Sequence, residues 1–258
     1  MSEPSGGELF VQHKDAVLTI TLNRPERLNA VTADQLADLA DLLEETADDA
    51  RVRVVVLTGA GRAFSSGADI SPGADPDPAT VDSANRVVAT MQRMPQPTIA
   101  WINGVAAGVG CSLALGADLV VAADTAYLLL PFTSIGLMPD GGATALVPAS
   151  VGRARAMGMA LLAERVPAPL AYEWGLVTKV VPTDQLAGEV ERLARKLADG
   201  APLALAQTKF AVNAATMGSL APAMQRERRE QEVLLGSDDF REGVTAFGER
   251  RPPKFTGR

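Results

Sequence analysis

The sequence predicts a layered α/β or α+β core that gives way to a helical C-terminal part. Three observations carry this. Up to about residue 131 the chain holds short β-branched or apolar runs closed by glycine or proline, the pattern of buried strands. Between them lie stretches with helical periodicity, above all "LNAVTADQLADLADLLEETADD" at 28–49. From Val151 onward the segments read as helices one after another.

In chain order, "AVLTITLNRP" (16–25) is a strand ended by Pro25, and His13 lies in an expected hairpin turn just before it. Thr32 is a candidate N-cap with Gln35 three residues on, and Leu36, Leu39, Leu42 and Leu43 make the buried stripe of the helix that follows. "VRVVVLTGAG" (52–61) is a continuous apolar strand stopped by glycines, and "RAFSSGADI" reads as a loop. "SPGADPDPAT" (71–80) is rich in Pro, Gly and Asp and is expected to be mobile; a helix to about Met94 follows. "PTIAWINGV" (97–105) is another buried strand. "AAGVGCSLALGAD" (106–118) turns from a glycine loop into a short helix, and "LVVAADTAYLLLP" (119–131) gives two short strands around a turn at Ala123–Thr125. The expected division is a core over 1–198 and a helical region over 199–258.

Composition narrows the chemistry. The formal net charge of −7 disfavours nucleic acid and anionic membranes as partners, although a few arginines could still form a local anion site. One cysteine, Cys111, excludes an internal disulfide, and one cysteine with one histidine makes a His/Cys metal site untenable; no metal is expected. A Ser-His-Asp triad would have to use His13, which reads as a solvated turn residue. Cys111 lies in a Gly/Ala-rich apolar context and reads as a small buried hydrophobe. "MSEPSGGELF" has no charged segment followed by an apolar run, and no stretch reaches spanning length, so a cytoplasmic protein without membrane insertion is expected.

Two glycine loops, "FSSGAD" and "GVAAGVG", each follow a core strand, and the second opens a helix. A dinucleotide site is not indicated, because Leu113 stands where the third glycine of that fingerprint belongs. Free backbone N–H groups at such loops could converge on a carbonyl oxygen as an oxyanion hole. Asp140, in "LPFTSIGLMPDGG", follows a proline and precedes two glycines. By local chemistry it is a turn or helix-capping acid.

The ordered motifs "ITLNRPERLNAV", "VVLTGAGRAFSSGADI", "PTIAWINGVAAGVGCSLALGADLVVAAD", "IGLMPDGGATALVP", "GLVTKVVP" and "REGVTAFGERRPPKF" resemble the enoyl-CoA hydratase/isomerase (crotonase) superfamily over about residues 8–256. The resemblance implies a spiral of ββα units, a C-terminal helical region that builds homotrimers or dimers of trimers, and acyl-CoA substrates. Coenzyme A is then part of the substrate, and no separate cofactor is implied. By motif position the oxyanion-hole amides belong to Ala68 and Val109. The substrate would be held by Arg24, Arg27, Leu28 and Ala30, by Ser66, Asp69 and Ile70, and by Phe247 and Lys254. For the three basic residues the other reading is solvated surface charge, and for Asp69 a structural acid.

The family's hydratases carry two glutamates; here those positions are Ser112, after Cys111, and Phe132, after Pro131. Asp140 instead matches the single carboxylate of the isomerase branch, beside Leu137 of the "GLMP" turn. Ser112, Phe132 and Leu137 would then be substrate-binding residues, and the first two would help dry the pocket. The resemblance therefore implies an enoyl-CoA isomerase using Asp140. The alternatives are an enoyl-CoA hydratase with an atypical site and a non-catalytic acyl-CoA-binding protein.

Overall fold

The computed structural model describes residues 8–70 and 78–258. Most of the stretch expected to be mobile, 71–80, lies outside the described residues. The first described elements form an antiparallel hairpin, β1 (Leu9–Lys14) and β2 (Val17–Leu22). His13 is exposed and belongs to the end of β1 rather than to the turn, where it sits across from Leu18.

Helix α1 (Ala33–Ala47) starts as its sequence requires: the Gln35 N–H donates to the Thr32 hydroxyl at 3.1 Å. The reciprocal half of the capping box does not form, because the Gln35 amide donates to the Glu8 carbonyl at 2.7 Å and ties the helix to the start of β1. Leu36, Leu39 and Leu43 are fully buried, worth about 2 kcal/mol each; Leu42 is half-buried at the edge of that stripe.

β3 (Val54–Gly59), β5 (Thr98–Ile102) and β7 (Leu119–Ala123) run parallel to β2 in one sheet. β3 is buried at every position, which is why it reads as an unbroken apolar run. A second sheet lies beside the first. It contains β4 (Ala63–Ser65), β6 (Val105–Ala107) and β8 (Tyr127–Leu129), again parallel.

The chain thus leaves a strand in the first sheet, crosses within two or three residues to the second, and returns by a helix. The returning helices are α2 (Pro78–Arg93), α3 (Val109–Leu115) and α4 (Ala143–Leu162), the last broken at Gly152. This is a spiral of ββα turns. The loop read at 62–70 contains β4, and the strand read at 97–105 is two strands, β5 and β6, joined at Asn103–Gly104. Strands of three residues carry too little periodicity to be seen in a sequence.

The later half is helical with two exceptions. β9 (Val166–Pro167) pairs antiparallel with β8, and β10 (Lys179–Val181) adds to the first sheet beside β7. The helices are α5 (Ala168–Trp174), α6 (Leu186–Ala198), α7 (Pro202–Thr216), α8 (Leu220–Leu235) and α9 (Asp238–Glu249). A buried ion pair at 2.8 Å between Lys209 of α7 and Asp118 fastens α7 to the core, and the Asp118 carboxylate also accepts from Thr98. Of the last three helices, α8 is the one packed against both α2 and α4. No described helix is long and apolar enough to cross a membrane.

Candidate active site

A cavity of about 660 Å³ opens where the two glycine loops, the Phe132–Ile135 3-10 turn, α8 and α9 meet. Ala68 and Val109 share its wall. Val31 N–H donates to the Gly67 carbonyl and Asp69 N–H to the Val31 carbonyl, a single parallel bridge. Successive N–H groups of extended chain point to opposite sides, so the Ala68 N–H turns away from Val31. Val109 opens α3, where the N–H groups of the first turn have no acceptor within the helix. The loops touch through glycine: a Cβ on Gly67 would lie 3.0 Å from the Ala107 carbonyl oxygen and 3.5 Å from the Gly108 Cα. That approach sets the Ala68 and Val109 segments side by side on the cavity wall. The Val109 side chain packs towards Gly141.

Asp140 lines the same cavity and is buried. The turn that carries it needs its glycines. Gly141 (φ 63°) and Gly142 (φ 83°) are both left-handed, and a Cβ on Gly141 would stand 2.8 Å from the Ser112 Cβ. Gly141→Ala is therefore expected to cost about 2 kcal/mol and lower the melting temperature by about 4–8 °C, read from a thermal scan against the parent chain.

The capping role suggested for Asp140 belongs to another residue. The N-cap of α4 is Gly142, which has no side chain to offer, and the acceptor comes from α8. The buried Glu227 carboxylate accepts the N–H of Gly142 at 2.7 Å, the N–H of Thr144 at 2.8 Å and the Thr144 hydroxyl. A negative charge suits a helix N-terminus. The Asp140 carboxylate is thereby left for other work. Its Oδ2 accepts from Gln231 Nε2 at 2.8 Å, and its Oδ1 is buried with no partner. Burial pushes its pKa from 3.8 up to about 7; the Gln231 hydrogen bond works against this and the Glu227 charge adds to it.

The sequence-predicted residues divide cleanly. Asp140, Ala68, Val109, Arg27, Leu28, Ala30, Ser66, Asp69, Ile70, Phe132, Leu137 and Phe247 all line the cavity. Arg24, Ser112 and Lys254 do not. The Arg24 guanidinium donates to the Ala30 carbonyl and to Asp69 Oδ2, each at 2.8 Å, and its side chain is 13% exposed; it braces two wall loops against each other. Ser112 is buried behind the turn and donates to the Asp140 carbonyl at 2.6 Å. It steadies the turn from outside the pocket. Lys254 is held by its backbone N–H, which donates to Glu242 at 2.7 Å, while Arg251 and Pro253 reach the cavity in its place. Cys111 is buried and its thiol is pushed up to about 12 by desolvation, as expected for an inert packing residue.

The sequence reading passed over Glu227 and Gln231, and also the wall residues Arg62, Val81, Ile135 and Leu235. The signal for the first pair was there. On α8, Leu220, Met224, Glu227 and Gln231 fall on one face, so two polar residues continue an apolar stripe. Polar groups at core positions must find buried partners.

Comparison with known proteins places these features in a family. The family described as enoyl-CoA hydratase/isomerase matches residues 12–258. The chain is 41% identical to the 1,2-epoxyphenylacetyl-CoA isomerase of Escherichia coli K12, with 97% of this chain and 99% of that protein aligned. It is 38% identical to the 2,3-dehydroadipyl-CoA hydratase of the same organism, with 97% and 99% aligned. A crystal structure of an enoyl-CoA hydratase from Mycobacterium avium subsp. paratuberculosis K-10 superposes with a TM-score of 0.92 at 49% identity, covering 97% of this chain and 99% of that one. The spiral of ββα turns is thus the crotonase fold, and the chain belongs to the enoyl-CoA hydratase/isomerase family.

Proposed function

We propose that this member is an enoyl-CoA isomerase that moves a double bond by a one-base proton transfer through Asp140. One observation carries the reading: among the described residues of the cavity wall, Asp140 is the carboxylate that is deeply buried, with its Oδ1 unpartnered and a proton affinity near neutrality. A general base works best with a pKa near the working pH. Ser112 and Phe132, at the two hydratase glutamate positions, supply no second acid, so water has no obvious activating pair.

The acyl-CoA thioester oxygen accepts from the Ala68 and Val109 amides, which stabilise negative charge as it develops there. Asp140 Oδ1 takes a proton from the α-carbon of a 3-enoyl thioester, giving a dienolate. The same oxygen returns the proton to the γ-carbon. The proposed chemistry needs no added cofactor. Phe132, Ile135, Leu137 and Leu235 favour an apolar acyl group, and Arg27 and Arg62 supply positive charge on the same wall for the phosphates of coenzyme A. A homotrimeric or hexameric assembly is part of the proposal; exposed Leu161, Leu162 and Leu203 are suited to subunit contacts.

The test is a panel of 2-enoyl- and 3-enoyl-CoAs, aliphatic and aromatic, with products resolved by chromatography and mass. Products of unchanged mass and new retention are expected. Products heavier by one water would establish a hydratase instead. Binding without turnover across the panel would establish a silent acyl-CoA binder.

A further inference from the structure

α8 grips the Asp140 turn at both ends. Glu227 holds the N–H groups of Gly142 and Thr144, and Gln231, one helical turn on, holds Met138 and Asp140. The Gln231 amide is fully engaged. Its Oε1 accepts from Met138 N–H at 3.1 Å, and its Nε2 donates to the Met138 carbonyl at 2.8 Å and to Asp140 Oδ2 at 2.8 Å. Its orientation follows from chemistry. A flipped amide would set its nitrogen against the Met138 N–H and its oxygen against both a carbonyl and a carboxylate. The donor on Oδ2 therefore cannot swing away without breaking a two-point clamp on the backbone.

We infer that Gln231 is a positioning residue that pins Asp140 Oδ2 and so assigns proton exchange to Oδ1. This rests on Asp140 being the acid/base group of the proposed reaction. The pin acts in two ways. It fixes the rotation of the carboxylate about its terminal bond, so that Oδ1, the oxygen without a partner, is held in one orientation. It also favours the ionised form, keeping part of the carboxylate population ready to accept a proton despite its burial. The field that opposes it among the described residues comes from Glu227; Ser112, on α3, touches the Asp140 carbonyl and not the carboxylate. The charged residues Glu26, Arg27, Arg62, Asp69 and Arg251 stand on the wall of the same cavity.

The experiment uses the full chain with Gln231→Met, which keeps length and loses both donors, and Gln231→Glu, which sets a second carboxyl against Asp140. Folding is checked by circular dichroism. In Gln231→Met, kcat on a 3-enoyl-CoA should fall about 10–100-fold with KM within about threefold, because a hydrogen bond to a charged group is lost. The acidic limb of kcat/KM should move to higher pH, and Gln231→Glu should move it further. The Asp140 carboxyl midpoint is also followed by carbon-13 NMR, assigned by its absence in Asp140→Asn, which requires no turnover. A midpoint unmoved in both variants overturns the inference. Loss of kcat with an unmoved limb also overturns it, since that is a purely structural effect. If the midpoint moves while the wild-type chain turns over no 3-enoyl-CoA, the pin is upheld and it is the isomerase reading that fails.

Discussion

Asp140→Asn is expected to lose activity and gain stability in the same molecule. Removing the carboxylate proposed to carry the proton should lower kcat about 10²–10⁴-fold, the usual worth of a positioned acid/base. Acyl-CoA affinity should stay within about threefold, because the Ala68 and Val109 amides and the cavity wall are untouched. The stability gain follows from linkage. The Asp140 carboxyl rises from 3.8 in the free chain to about 7 in the fold. The folded state therefore holds this proton more tightly than the unfolded state. The fold is favoured below about pH 4, loses that advantage as the pH climbs to about 7, and is fully disfavoured above it. At about 1.4 kcal/mol per tenfold change in affinity, the ionised carboxylate costs up to about 4 kcal/mol at pH 8. Asparagine removes the charge and leaves one imperfectly paired amide, so a gain of about 2 kcal/mol is expected. The melting-temperature gap between variant and parent should close as the pH falls from 8 to 4. A variant that turns over normally, or that melts lower than the parent at pH 8, contradicts the assignment.

The second large effect is expected at Glu227. Glu227→Ala leaves the buried Gly142 N–H and the Thr144 N–H and hydroxyl without their acceptor and uncaps α4. A loss of about 4 kcal/mol is expected, seen as a melting temperature lower by about 8–16 °C at matched protein concentration. Glu227→Gln separates charge from shape. It keeps an acceptor for the turn and removes the field that raises Asp140. Its stability loss should be smaller, and the acidic limb of its rate profile should move to lower pH. That is opposite in sign to the shift expected when Gln231 loses its donors. A pH titration of kcat/KM on both variants checks the pair together.

These two residues also mark where a sequence stops being legible. The layered α/β core was readable because β3 and β5 are buried and write unbroken apolar runs, and because Thr32 and Gln35 announce α1; the spiral order came only with the resemblance. The glycine loops and Asp140 were readable because motif order fixed their places. β4 and β9 were not, since strands of two or three residues are made by the sheet they join and not by their own pattern. Arg24 could not be told from a phosphate ligand, because its partners, Ala30 and Asp69, are set by loop packing. Glu227 lies 87 residues beyond Asp140 in the chain, and a sequence gives distance along the chain, not through the fold.

The buried Ser112 bears on how this chain could change its trade. In the hydratase pattern its position holds a glutamate. Here its Cβ lies 2.8 Å from where a Cβ on Gly141 would stand, and its hydroxyl is spent on the Asp140 carbonyl. A glutamate at 112 would give up that hydrogen bond, so an acid added there is expected to loosen the turn that presents Asp140. Gaining one carboxylate would thus weaken the hold on the other, and descendants of this fold are expected to change the two positions together.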